Sequence, residues 1–250
     1  MIEWDRSPLV TPIFPLVVKW YNNRLITGHY KFDSCREDQT ICARSIMENT
    51  LGYELSNGGS IPSERTTNNI KYNMFAKLNK SFNIDTVTIS DEITAYGDGR
   101  IKYNEMRDID LDPFYAVIPE VYRKFFIHKF MTITEDIPPH IDHDMITSIN
   151  FYIKSNNGIT KFHEIITENP EIYQDSVQIK GNGKNYVHKD VKLVNVFIAK
   201  DFEAYLLDVS KPHSVEFKSP RPIFRTAVVL QTPLFNYQQV YNMLKTTNNL

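Results

Sequence analysis

Glycine and alanine are both scarce in this 250-residue chain, at 9 and 7 residues. So little alanine argues against a helical bundle. Cysteine is almost absent: Cys35 and Cys42 are seven positions apart, on one face of a helix but too far apart to bridge. They read as reduced core thiols, and no disulfide framework is expected. No apolar run is long enough to span a membrane. The stretch from Pro8 to Val18 is short, holds three prolines and lacks a preceding charged region. It reads as neither signal peptide nor span, so a cytoplasmic protein is expected. Neither sign of charge dominates, with a net charge of −2. Bulk charge therefore selects no polyanion, and the scattered Lys and Arg argue against a nucleic-acid partner. Gly-rich phosphate loops, Gly-x-Ser-x-Gly elbows and Cys-x-x-Cys pairs are missing. His163-Glu164 opens like a zinc-protease motif, but Thr167 stands where the second His is required.

What is abundant is strand-forming. The chain has 27 Ile, 15 Phe and 14 Tyr, residue types that favour pleated, half-buried surfaces. A chain this long buries roughly 70–75% of its unfolded surface, enough for a core without metal or disulfide. It reads as one domain over residues 1–250. In the first 110 residues the pattern suggests an extended strand over 9–20, a helix from Asp33 to Leu51, a polar loop over 56–69, a strand over 84–89 and a turn at 96–99. This segment is expected as an α/β extension packed on the remainder. Asp112-Pro113 predicts a helix running to Phe126, capped by Asp112. Strands are expected at 127–134, 146–154, 158–163, 176–180, 192–199, 204–208, 213–217 and 223–231, with a closing helix over 236–244 ahead of the C-terminal tail. Eight short strands between turns point to a sandwich or closed roll over 111–235.

One motif in this half carries chemistry. In Pro138-Pro139-His140-Ile141-Asp142-His143, alternation along a strand puts His140 and Asp142 on one side. An imidazole and a carboxylate so placed can share a metal, with His213 starting a later strand as a third ligand. Two His and one carboxylate on one face leave open positions opposite, the pattern of non-haem Fe(II) oxygenases. Arg225 stands in an otherwise apolar strand, where a planar, permanent cation wants a carboxylate. His143, on the opposite strand face, reads as solvated or as supporting the site. His163 is a candidate pocket residue, and His29, His128 and His188 read as structural.

The order His-x-Asp, His, Arg resembles the Fe(II)/2-oxoglutarate-dependent dioxygenases, most closely the prolyl-hydroxylase type. Residues 148–153, 157–162, 205–208, 212–215 and 225–229 resemble that family's site strands, so the likeness covers about 100 residues, from Phe130 to Thr232. It departs at Asn157, where the family has glycine, and at Lys200–Glu203, where it has a glycine turn. The resemblance implies a mainly β (α+β) fold, a double-stranded β-helix or jelly-roll, cupin-like core with flanking helices. It implies Fe(II) on His140, Asp142 and His213, 2-oxoglutarate on Arg225 with help from Tyr152, and O2 as oxidant. Asn150 and Thr160 are inward candidates for the same co-substrate pocket. The implied reaction hydroxylates a peptide side chain or small molecule and releases succinate and CO2. Two other readings stay open: a non-catalytic metal- or sugar-binding β-roll, and a cupin-type metalloenzyme without 2-oxoglutarate. Residues 56–82 and 164–190 are the expected covers over the site.

Overall fold

The computed structural model describes residues 56, 74–80, 82, 93–96, 101–104, 111–142, 145–173, 184–218 and 225–250. The expectations for 9–20, 33–51, 84–89 and 176–180 lie outside the described residues, as do nearly all of 56–69, the turn residues 97–99, Cys35, Cys42, His29 and His143.

The elements in chain order are β1 (Phe75–Lys77), β2 (Ile93–Tyr96), β3 (Ile101–Asn104), α1 (Asp112–Tyr115), α2 (Glu120–Arg123), β4 (Ile127–Ile133), β5 (Ile137–Ile141) and β6 (Thr147–Lys154). They continue with β7 (Ile159–Ile165), β8 (Ile172–Tyr173), β9 (Lys184–Tyr186), β10 (Val191–Ile198), β11 (Ala204–Leu207), β12 (His213–Glu216), β13 (Arg225–Thr232) and α3 (Tyr237–Thr246). Among the described residues every strand pairing is antiparallel. One sheet runs β1-β11-β6-β13-β4-β3-β2 and the other β10-β7-β12-β5-β9-β8.

That order defines the fold. Strands β4, β6, β11 and β13 lie in the first sheet, and β5, β7, β10 and β12 in the second. The chain thus alternates between two facing sheets, which is the winding of a double-stranded β-helix. The segment before residue 111 extends the larger sheet at both edges, through β1 on β11 and β3 on β4.

Local chemistry explains most element boundaries. The single helix expected over 113–126 is instead two four-residue turns, α1 and α2. Pro119 enters α2 at ψ 138°, an extended conformation that breaks the helix. Asp112 lies inside the first turn rather than capping it. The closing helix carries a capping box: the Asn236 side chain accepts from the Gln239 N–H at 3.0 Å, and the Asn236 N–H donates to Gln239 Oε1 at 2.8 Å. Between β6 and β7, Asn156 and Asn157 both adopt positive φ, 49° and 54°. Two successive left-handed residues, closed by the Gly158 N–H donating to Ser155 O at 3.0 Å, make a type I′ turn that carries the chain from one sheet to the other, and Asn tolerates that conformation better than most side chains.

β6 has no exposed face over most of its length. Ile149 and Phe151 point to the helical side, where Phe151 meets Phe82 and Phe114 edge-on at 4.7 and 5.0 Å. Ser148, Asn150 and Tyr152 point into the roll and are buried too. The larger sheet thus turns a polar strand face toward the smaller one. Aromatic packing closes one end of the interior, where Phe197 stacks on Tyr205 at 4.2 Å.

Candidate metal and carboxylate site

The metal motif is assembled by strand register. His213 on β12 pairs directly with His140 on β5, and their rings are 4.3 Å apart. The register then shifts before Val215 pairs with Ile137. Ser214 therefore faces both Pro138 and Pro139, a bulge that accommodates two residues without ladder N–H groups. Asp142 follows β5, its N–H donating to Val209 O at 3.3 Å.

His140, Asp142 and His213 bring one ligand atom each within 4.8 Å of one another. His140 Nε2 is 3.4 Å and His213 Nε2 3.5 Å from the same Asp142 Oδ1. Each ring is oriented from behind. His140 Nδ1 donates to Pro138 O at 2.8 Å, and His213 Nδ1 to Lys211 O at 2.9 Å. Both carbonyls lie two residues upstream of their histidine. With Nδ1 as donor, each neutral ring presents its Nε2 lone pair to the common point. Two lone pairs and a carboxylate oxygen so converged are a donor set that could hold one metal ion. Burial alone would raise Asp142, but the imidazoles of His140 and His213 hold it well below the usual carboxylate range. Burial alone would lower His213, but the hydrogen bond and charge of Asp142 raise it.

Arg225 begins β13 and is 2% exposed. Its Nη1 donates to Thr160 Oγ1 at 2.7 Å, and its guanidinium lies 4.1 Å from the centre of the Tyr152 ring. Nε and Nη2 are buried without a hydrogen-bond partner. Burial pulls its pKa below the ordinary value, against the opposing effects of Tyr152 and Tyr205. The two free donors are the side-on edge of the guanidinium, which matches the two oxygens of a carboxylate. Thr160 lies two residues from Phe162 on β7, one step of about 7 Å along the same strand face. The Phe162 ring is 5.9 Å from that of His213. The cation and the metal motif are thus neighbouring stations on the inner face of the roll.

The remaining candidates fall into place around these groups. Thr160 serves Arg225 directly. Asn150 Nδ2 donates to the Tyr152 hydroxyl at 3.4 Å, so Asn150 supports Tyr152. His163 does not line the interior: it lies on the face of β7 opposite Phe162, and its Nε2 meets Ser214 Oγ at 2.8 Å. Gln231, not among the residues expected at the site, donates from Nε2 to Asp142 Oδ2 at 2.9 Å. Its signal was its even spacing from Arg225, which puts both on one face of β13.

No family model matches the chain, and no curated protein does. Several solved structures share part of its shape. The epimerase SnoN in complex with Fe3+, alpha ketoglutarate and nogalamycin RO is 11% identical, over 57% of this chain and 68% of that one, with a TM-score of 0.36. Vicilin from hazelnut, Corylus avellana, is 8% identical over 59% of this chain and 32% of that one, TM-score 0.32. A 2OG-Fe(II) oxygenase family oxidoreductase from Burkholderia pseudomallei is 12% identical over 48% and 53%, TM-score 0.27. Among the described residues, no helix is long and apolar enough to cross a membrane.

Proposed function

We propose that this protein is an Fe(II)- and 2-oxoglutarate-dependent dioxygenase that hydroxylates a peptide side chain or small molecule, releasing succinate and CO2. The observation that carries this reading is the pairing of two features in one roll. His140, Asp142 and His213 offer three converging ligand atoms, and Arg225 is a buried guanidinium with two unused donors. A roll that merely stores metal or binds sugar has no use for a buried cation lacking an anionic partner.

The donor set fits the group. Two neutral imidazoles and one carboxylate suit Fe(II) and leave positions open for further ligands. When bound, the iron supplies O2 activation coupled to decarboxylation of the oxoacid. The chain's own residues bind and orient. His140, Asp142 and His213 hold the metal, with the Pro138 and Lys211 carbonyls fixing the ring tautomers. Arg225 takes the distal carboxylate of 2-oxoglutarate through Nε and Nη2, anchored by Thr160 and the face of Tyr152. The packed aromatics Phe162, Phe197 and Tyr205 keep water from that end of the interior.

The test is succinate formation from 2-oxoglutarate in the presence of Fe(II), with and without pools of peptides and small metabolites. Turnover that needs Fe(II), and that falls at least a thousandfold (on the order of 4 kcal/mol) in His140→Ala and Asp142→Ala, supports the reading. Undiminished succinate release by either variant overturns it.

A further inference from the structure

We infer that Gln231 is a positioning residue that makes Asp142 a one-oxygen ligand to the metal. The inference rests on the metal site proposed above and deepens it. Asp142 presents Oδ1 to both histidine Nε2 atoms. Its other oxygen, Oδ2, is held by Gln231 Nε2 at 2.9 Å. A carboxylate can bind a divalent cation through one oxygen or both. Rotating Asp142 so that both oxygens face the metal would break the bond to Gln231. The cost is high, because Gln231 is 6% exposed and water reaches it poorly. Its own Oε1 is already buried without a partner, so losing the Nε2 bond would leave the whole amide unsatisfied.

The backbone holds the amide in place. Gln231 pairs with Ser148 on β6 and with Ile127 on β4, so it is locked in a central strand of the larger sheet. Asp142 follows the smaller sheet. The hydrogen bond therefore joins the two sheets at the metal and fixes the carboxylate plane from across the interior. The consequence is coordination number. With one oxygen engaged, the three protein groups fill three positions and leave the rest for 2-oxoglutarate and oxygen. With both engaged, one of those positions is lost.

The test uses Co(II) in place of iron, with the full chain, no 2-oxoglutarate and no turnover. Visible absorption titrations give both affinity and the ligand-field bands, which report coordination number. The variants are Gln231→Met, close in volume but without the donor, and Gln231→Asn, which keeps an amide but withdraws it by one methylene. Cooperative thermal melting of each metal-free variant identifies the folded ones, and either suffices. The expected result is Co(II) binding weakened about ten- to a hundredfold, together with altered bands as the second oxygen joins. Bands superimposable on wild type, with affinity within twofold, overturn the inference. So does weaker binding with superimposable bands, which would mark Gln231 as a packing residue only. Wild type failing to bind Co(II) would instead overturn the metal site itself, and the two failures are thus told apart.

Discussion

Arg225 is the residue that asks most of this fold. A guanidinium that is 2% exposed, with Nε and Nη2 unpartnered, is destabilising unless an anion joins it. Arg225→Met should therefore raise the stability of the ligand-free protein, by on the order of 1 kcal/mol or more. Under the proposed function it should also abolish any stabilisation by 2-oxoglutarate and any succinate release. Thermal melting with and without the oxoacid measures both. The approach to Arg225 is tight. A Cβ on Gly158 would stand 2.9 Å from Phe217 Cε1 and 3.1 Å from Arg225 Cδ. Gly158→Ala should displace the guanidinium and raise the KM for 2-oxoglutarate several-fold more than it lowers kcat, as steady-state kinetics with varied oxoacid would show. His140, Asp142, His213 and Arg225 were legible in the sequence because order and spacing single out chemically costly types. Gln231 was not, because its even spacing from Arg225 marks a shared strand face without saying which way that face points. A polar residue alternating with apolar ones looks the same whether it faces solvent or the inside of a roll.

At the scale of elements, alternation and turn residues located most of the described strands of the roll to within two residues at each end. β8 and β9 form inside the segment expected as a cover, 164–190; two other departures have physical causes. β5 contains two adjacent prolines, which argue against a strand, and only the bulge opposite Ser214 admits them. Pro119 split the expected helix because the chain must be extended there to turn into α2. The turn at Lys200–Glu203 places a large side chain in a left-handed conformation: Phe202 sits at φ 65°. Its backbone is held on both sides, by N–H donation to Tyr152 O at 2.6 Å and by acceptance from Phe82 N–H at 2.9 Å. A left-handed conformation costs a non-glycine residue about 1–2 kcal/mol, and Phe202 is 38% exposed, so little packing compensates. Phe202→Gly should thus stabilise the protein by about 1 kcal/mol and raise the melting temperature by about 2–4 °C. A melting temperature below wild type would show that the phenyl ring contributes more than the strain.

For the whole molecule, the winding of two sheets is what brings residues 140, 142, 213 and 225 together, and pairing partners so distant in sequence cannot be read from local pattern. The same winding buries groups that make stability depend on pH. His163 is 5% exposed on the outer face of the smaller sheet. Burial, then the charges of His188, His213, Lys161 and His140, push its pKa down to about 4 from 6.5. The folded protein therefore holds His163 neutral where the unfolded chain protonates it. Between pH 6.5 and about 4 the unfolded state binds more protons at this site, so stability falls as pH falls through that window and is fully present above it. His213 works in the opposite sense: its raised pKa contributes stability at low pH that is lost as pH rises through the folded value. The two windows adjoin, His163 acting below pH 6.5 and His213 above it, so the acid side reports His163. Replacing His163 with Asn removes the titrating group while keeping a donor for Ser214. In urea unfolding of the metal-free protein, the stability difference between wild type and His163→Asn should move in favour of the variant as pH drops from 7 to 4. A difference that stays constant over that range would show that His163 is protonated alike in the folded and unfolded states.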